Sequence, residues 1–136
     1  VAERWLDADE RLVSSIIVAA QLPDEAAKEI RRVADEPRMV QVLLGDNPTK
    51  QPFGHPIFHP IYEAAAETGR PVAIHAGAND WANPPSTGGG TASTYLEVHT
   101  LWPQPVQTHF VSFVAHGVFI AASGSRFQMK NVAPSC

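Results

Sequence analysis

Apolar residues fall along this chain in short runs with strand character, separated by longer stretches with helical spacing. Residues 12–20 (LVSSIIVAA) are rich in β-branched side chains, follow a charged stretch and end at Gln21-Leu22-Pro23, which predicts a buried strand. Pro23 suits a first helical position, Asp24 and Glu25 complement the positive end of a helix dipole, and Ala26, Ala27, Ile30, Val33 and Ala34 recur at helical spacing. An amphipathic helix over 23–36 is expected, stopped by Pro37. Residues 39–44 (MVQVLL) form a second apolar run closed by the turn residues Gly45-Asp46-Asn47-Pro48. From Pro56 onward, Ile57, Ile61, Ala64, Ala65 and Thr68 share one helical face, and Gly69 stands where a helix-terminating glycine belongs.

A third strand is predicted over 71–76 (PVAIHA), followed by a long loop over 77–93 that contains Pro84-Pro85 and Gly88-Gly89-Gly90. Residues 95–119 read as largely helical with a break near Trp102-Pro103-Gln104-Pro105. The strands lack clean apolar–polar alternation, which argues for parallel strands covered on both faces and joined by right-handed crossovers. Three or four βα units of this kind fit either part of a barrel or a small doubly wound sheet, and the pattern alone does not choose.

With 136 residues and 44% hydrophobic content, the chain has enough apolar surface for one compact domain. Ten basic residues against fourteen acidic ones, a formal net charge of −4 and no basic cluster beyond Arg31-Arg32 argue against nucleic-acid or anionic-membrane partners. Cys136 is the single cysteine, so no internal disulfide framework forms, and a reducing, cytoplasmic setting is expected. No signal-peptide pattern opens the sequence, and the longest apolar run, over 110–122, is broken by Ser112, His116 and Gly117.

Ligands of parallel α/β folds sit beyond the carboxyl ends of the strands. His75 falls at that end of the third predicted strand, beside the small Ala76 and Gly77, where a neutral imidazole suits a zinc ion. The plainer alternative is a buried histidine bonded to a neighbouring strand. His55 and His59 have zinc-helix spacing but lack the companion Glu and are flanked by Pro56 and Pro60, so capping or surface roles are expected, with a metal-free acid–base pair as the rival. His99 and His109 lie on the later helices and are expected to face solvent, and His116 to favour a helix end. Asp80 is either a helper to a metal or an ordinary turn residue, and Glu97 and Trp81 admit similar pairs of readings. Thr87-Gly88-Gly89-Gly90-Thr91 lacks the lysine of a phosphate-binding loop and reads as a lid or linker.

The succession Trp5-Leu6-Asp7-Ala8-Asp9, Arg11-Leu12, Ile30-Arg31-Arg32, Val40-Gln41-Val42-Leu43-Leu44, Pro60-Ile61-Tyr62-Glu63-Ala64-Ala65, Gly69 and Pro71-Val72-Ala73-Ile74-His75 resembles the middle of the amidohydrolase-related family, metal-dependent TIM-barrel enzymes. The resemblance continues through Tyr95-Leu96-Glu97-Val98-His99-Thr100 to Gly117-Val118-Phe119. It implies a partial (β/α)8 TIM barrel over 1–119, with an atypical tail over 120–136, and a chain too short to close a barrel of about 250 residues. It also implies one divalent metal, zinc or alternatively manganese, with His75 matching the family's middle-strand ligand. The family's HxH pair and last-strand aspartate have no counterpart here. The activity expected is hydrolysis or decarboxylation of a small carboxylated or cyclic substrate, with Asp80 or His99, from its place near the His75 strand or on the following helix, as a catalytic helper. Truncated sheet edges make a homo-oligomer or association with another chain the alternative expectation.

Overall fold

The computed structural model describes residues 2–45, 47, 49–75, 92–101 and 103–121. A short helix α1 (Ala2–Trp5) and a 3-10 turn (Leu6–Ala8) precede strand β1 (Ser14–Val18). Helix α2 (Pro23–Arg32), strand β2 (Met39–Leu44), a 3-10 turn (Pro56–Phe58), helix α3 (His59–Glu67) and strand β3 (Val72–Ile74) follow. The chain then runs into α4 (Tyr95–Leu101), α5 (Pro103–Ala115) and α6 (Val118–Ala121).

The strands lie in the order β1-β2-β3 and both pairings are parallel, as the runs of apolar residues predict. Register places Ile16, Val42 and Val72 in one row across the sheet and Val18, Leu44 and Ile74 in the next. All six are buried, joining the core that contains Ala26, Ala27 and Ile30 of α2 and Ile61, Ala64 and Ala65 of α3. Small alanines on the facing sides of α2 and α3 let these two helices pack closely together. The intervening strand positions point to the other face, and there the edge strand departs from the expectation of two covered faces. Ile17 is 72% exposed, and Val13 and Leu12 are exposed beyond the strand's start. The strand is thus shorter than the apolar run 12–20.

Helix α2 also stops sooner than 36. Glu36 precedes Pro37, whose ring disfavours helical geometry at the preceding residue, and Val33–Glu36 unwind into turns. Arg70 takes over the freed carbonyls: its guanidinium donates to Ala34 O at 2.7 Å, Glu36 O at 3.1 Å and Met39 O at 2.7 Å. One side chain thereby ties the α2–β2 turn to the α3–β3 turn. Gly69 closes α3 with φ +66°, and Arg70 N–H reaches back to Ala65 O, the geometry that a side chain at this position resists.

The predicted helical stretch 95–119 is three helices. Its break falls where expected, and Pro103 and Pro105 occupy the first turn of α5, where a missing N–H costs nothing. Pro105, His109, Ser112 and Phe113 line the buried side of α5. They rest on the segment leading into α3, where Phe53, Phe58, Tyr62, Phe113 and Phe119 pack edge to face with centroids 5.2–5.9 Å apart. Tyr62 Oη donates to Phe53 O at 2.5 Å, and burial pushes the phenol well above its ordinary range. Tyr62→Phe is expected to cost about 1–2 kcal/mol, because it leaves a buried carbonyl unpaired, measurable as a lower urea midpoint at unchanged slope.

Candidate active-site face

A parallel sheet gathers the ends of its strands on one side, and loops leaving that side carry the chemistry. Here β2 and β3 end at Leu44 and Ile74, and the next residue, His75, keeps the ladder going for one more bond through its N–H to Leu44 O at 2.9 Å. Side chains alternate along a strand. Ile74 points to the helices, so His75 continues the row of Ala73, on the face opposite α2 and α3, and it is exposed. His75 is therefore exposed rather than the buried histidine of the plainer alternative. The imidazole sits at the carboxyl edge of the sheet on the face opposite α2 and α3.

His99 occupies α4. Its Nδ1 lies 2.9 Å from Tyr95 O, and its ring stacks on Tyr95 with centroids 3.8 Å apart. A carbonyl only accepts, so the ring makes this bond by donating from Nδ1. Among the described residues, no three His, Cys, Asp or Glu side chains form a group that would hold a metal, so neither His75 nor His99 belongs to such a group there. Asp80, Trp81 and the glycine run 88–90 lie outside the described residues, as does the tail from 122.

Glu97 is a helix cap. Its carboxylate accepts from Ser93 N at 2.8 Å, Ser93 Oγ at 2.8 Å and Thr94 N at 2.9 Å, while Glu97 N donates to Thr94 Oγ1. These bonds, led by the Ser93 amide, hold the carboxyl down to about 2. The reciprocal pairing is a capping box, readable in the sequence as Thr94-Tyr95-Leu96-Glu97.

The loop leaving β2 holds what residue spacing missed. His109 is 5% exposed, not solvent-facing, and its Nδ1 accepts a hydrogen bond from Phe53 N at 3.0 Å. Burial lowers its pKa to about 4, so it is neutral at physiological pH. Asn47, read only as a turn residue, is buried and organises the same loop, donating to Gln51 O at 2.6 Å and accepting from Thr49 Oγ1 at 2.7 Å. His55 does cap, as expected: its Nδ1 accepts from Ile57 N at 3.3 Å at the start of the 3-10 turn. His55 rests against His116, with ring centroids 5.8 Å apart, and His59 begins α3 with Nε2 buried and no partner among the described residues.

Comparison with known proteins agrees with this geometry. Among solved structures, the chain is similar to 5-carboxyvanillate decarboxylase LigW from Sphingomonas paucimobilis, with a TM-score of 0.67 and 22% identity, over 91% of this chain and 36% of that one. At this identity the likeness shows the fold: an α/β chain with a parallel sheet that superposes on a TIM-barrel enzyme. The chain spans little more than a third of that enzyme's length. No curated protein matches it. Residues 1–128 match the amidohydrolase family model, and the chain belongs to the amidohydrolase family.

Proposed function

We propose that this chain carries part of the active-site face of a metal-dependent hydrolase or decarboxylase acting on a small carboxylated or cyclic substrate, with His75 as a metal ligand. The observation that supports this reading is the placement of His75: an exposed imidazole at the carboxyl end of a parallel strand, on the face opposite α2 and α3. Its backbone is pinned by the bond to Leu44 O, which limits the positions the ring can sample. As a donor it fits zinc, or alternatively manganese. The described residues supply this one donor without a complete set. A divalent metal bound there would polarise a substrate oxygen or acidify a bound water. Asp80 or His99 is a further candidate helper.

The test is a zinc titration of the full chain followed by imidazole 15N spectra. Binding is expected to be weak, the largest change is expected at His75, and His75→Ala is expected to abolish it. A response confined to His55, His59 or His116 would overturn the assignment. Tight one-to-one binding lost in His75→Ala would instead show that other side chains of this chain complete the site.

The exposed edge strand favours a second reading, a non-catalytic module that pairs with another chain or with its own copy. Ile17, Val13 and Val40 leave an apolar strip on and beside β1, whose outer edge has no partner strand among the described residues. Size-exclusion chromatography with light scattering is expected to show self-association under this reading, and a monomer with a cooperative melt counts against it. Among the described residues no helix is long and apolar enough to cross a membrane.

A further inference from the structure

We infer that the segment joining β2 to α3 is latched to α5 through the His109 imidazole, and that acid releases α5 from it while the sheet and α2–α3 stay folded. The segment 52–58 is held to α5 at a backbone N–H by a histidine lone pair: Phe53 N donates to His109 Nδ1 at 3.0 Å. A ring nitrogen accepts only while it is unprotonated. A proton on His109 Nδ1 would set N–H against N–H inside a closed contact, so proton uptake there requires Phe53 and α5 to separate.

Other features decide which partner leaves. Phe53 is also tied to α3 by the Tyr62 hydroxyl, which stays protonated throughout the acid range. Phe53 therefore remains with α3, and α5 moves. The docking of α5 is also poorly satisfied, because Gln104 Oε1 and Ser112 Oγ are buried without hydrogen-bond partners among the described residues. Gly54 touches the backbone of Ser112 and Phe113 directly, a contact with no flexible side chain to absorb movement, so it is either made or lost. The titratable groups around the strap are Lys50 before it, His55 within it, His59, Tyr62 and the exposed Glu63 on α3, and His116 after α5. Among the described residues no carboxylate forms an ion pair with His109, and burial lowers its pKa.

Amide hydrogen exchange of the full chain between pH 7.5 and 4.5, corrected for the intrinsic rate, tests the latch. Protection at Phe53 and Phe113 is expected to fall by up to about tenfold per pH unit, the limit for one linked proton, while Ile30 and Val42 keep theirs. His109→Gln, whose amide oxygen accepts the Phe53 N–H at every pH, is expected to flatten the dependence at Phe53. The inference is overturned if Phe53 protection stays constant, if Ile30 loses protection in step with Phe53, or if His109→Gln retains the wild-type slope. Should that variant not fold, the 15N titration of the wild-type His109 ring decides: its midpoint must coincide with the loss at Phe53, and separate midpoints sink the idea.

Discussion

Gly54→Val is expected to destabilise the chain by about 3 kcal/mol or more, the upper end for forcing atoms into a packed interior. A Cβ at Gly54 would meet the carbonyl carbon and oxygen of Ser112 and the nitrogen of Phe113, each well inside 3.0 Å. The colliding atoms are helical backbone, so no rotamer change relieves the contact. Either α5 lifts off, exposing Phe113 and the Phe53 ring, or the strap bends and breaks the Phe53–His109 bond. Gly54→Ala meets the same atoms and should cost nearly as much. Gly45→Ala is the control: a Cβ there has nothing within 4 Å, and the change should stay within about 0.5 kcal/mol, as for an ordinary surface site. Urea denaturation of the three variants checks the contrast, and a Gly54→Val midpoint within error of the parent would refute the close approach.

Local chemistry in the sequence announces much of this architecture. The β-branched and apolar runs locate all three strands, Pro23 and Gly69 mark a helix start and a helix end, and the prolines at 103 and 105 mark the break before α5. The errors lie where distant contacts decide. Leu12 and Val13 read as strand because they are apolar, yet nothing among the described residues pairs with them there. The last turn of α2 is lost partly to Pro37, which is readable, and partly to Arg70, which lies far along the chain and satisfies carbonyls that a longer helix would have bonded itself.

The candidate site divides in the same way. His75 was legible because a strand end is a local feature and parallel sheets gather such ends on one side. Glu97, which admits two readings in the sequence, is a helix cap, and the Thr94–Glu97 spacing was the signal that could have shown it. His109 was not legible. Its spacing from Pro105, Ser112 and Phe113 marks a buried helix face, but an imidazole is buried only if a donor meets its lone pair. That donor, Phe53 N–H, comes from a loop 56 residues earlier.

Acidification from pH 6.5 to 4 is expected to remove about 3 kcal/mol from the closed state, taking the interval between the ordinary histidine value and about 4 at about 1.4 kcal/mol per pH unit. The sign follows from burial. His109 binds its proton less readily folded than unfolded, so between those two values the unfolded chain carries more protons. The stability is complete above 6.5 and is lost as the pH falls through about 4. Asp9, Glu29, Glu36, Glu67 and Glu97, held below their ordinary values by hydrogen bonds, act in the same sense but begin to lose their contribution only near and below about 4.5. The interval from 6.5 to 4.5 therefore separates His109 from these carboxylates. Added salt offers a second discrimination: exposed pairs such as Arg31–Glu67 are screened, whereas a loss caused by desolvation of a buried ring should persist in about 0.5 M salt, where the Debye length is about 4 Å. Urea midpoints at pH 7 and 4.5, for the parent and His109→Gln, measure the term directly. Equal pH dependence in the two proteins would mean that protonation of His109 is not what destabilises the fold in acid.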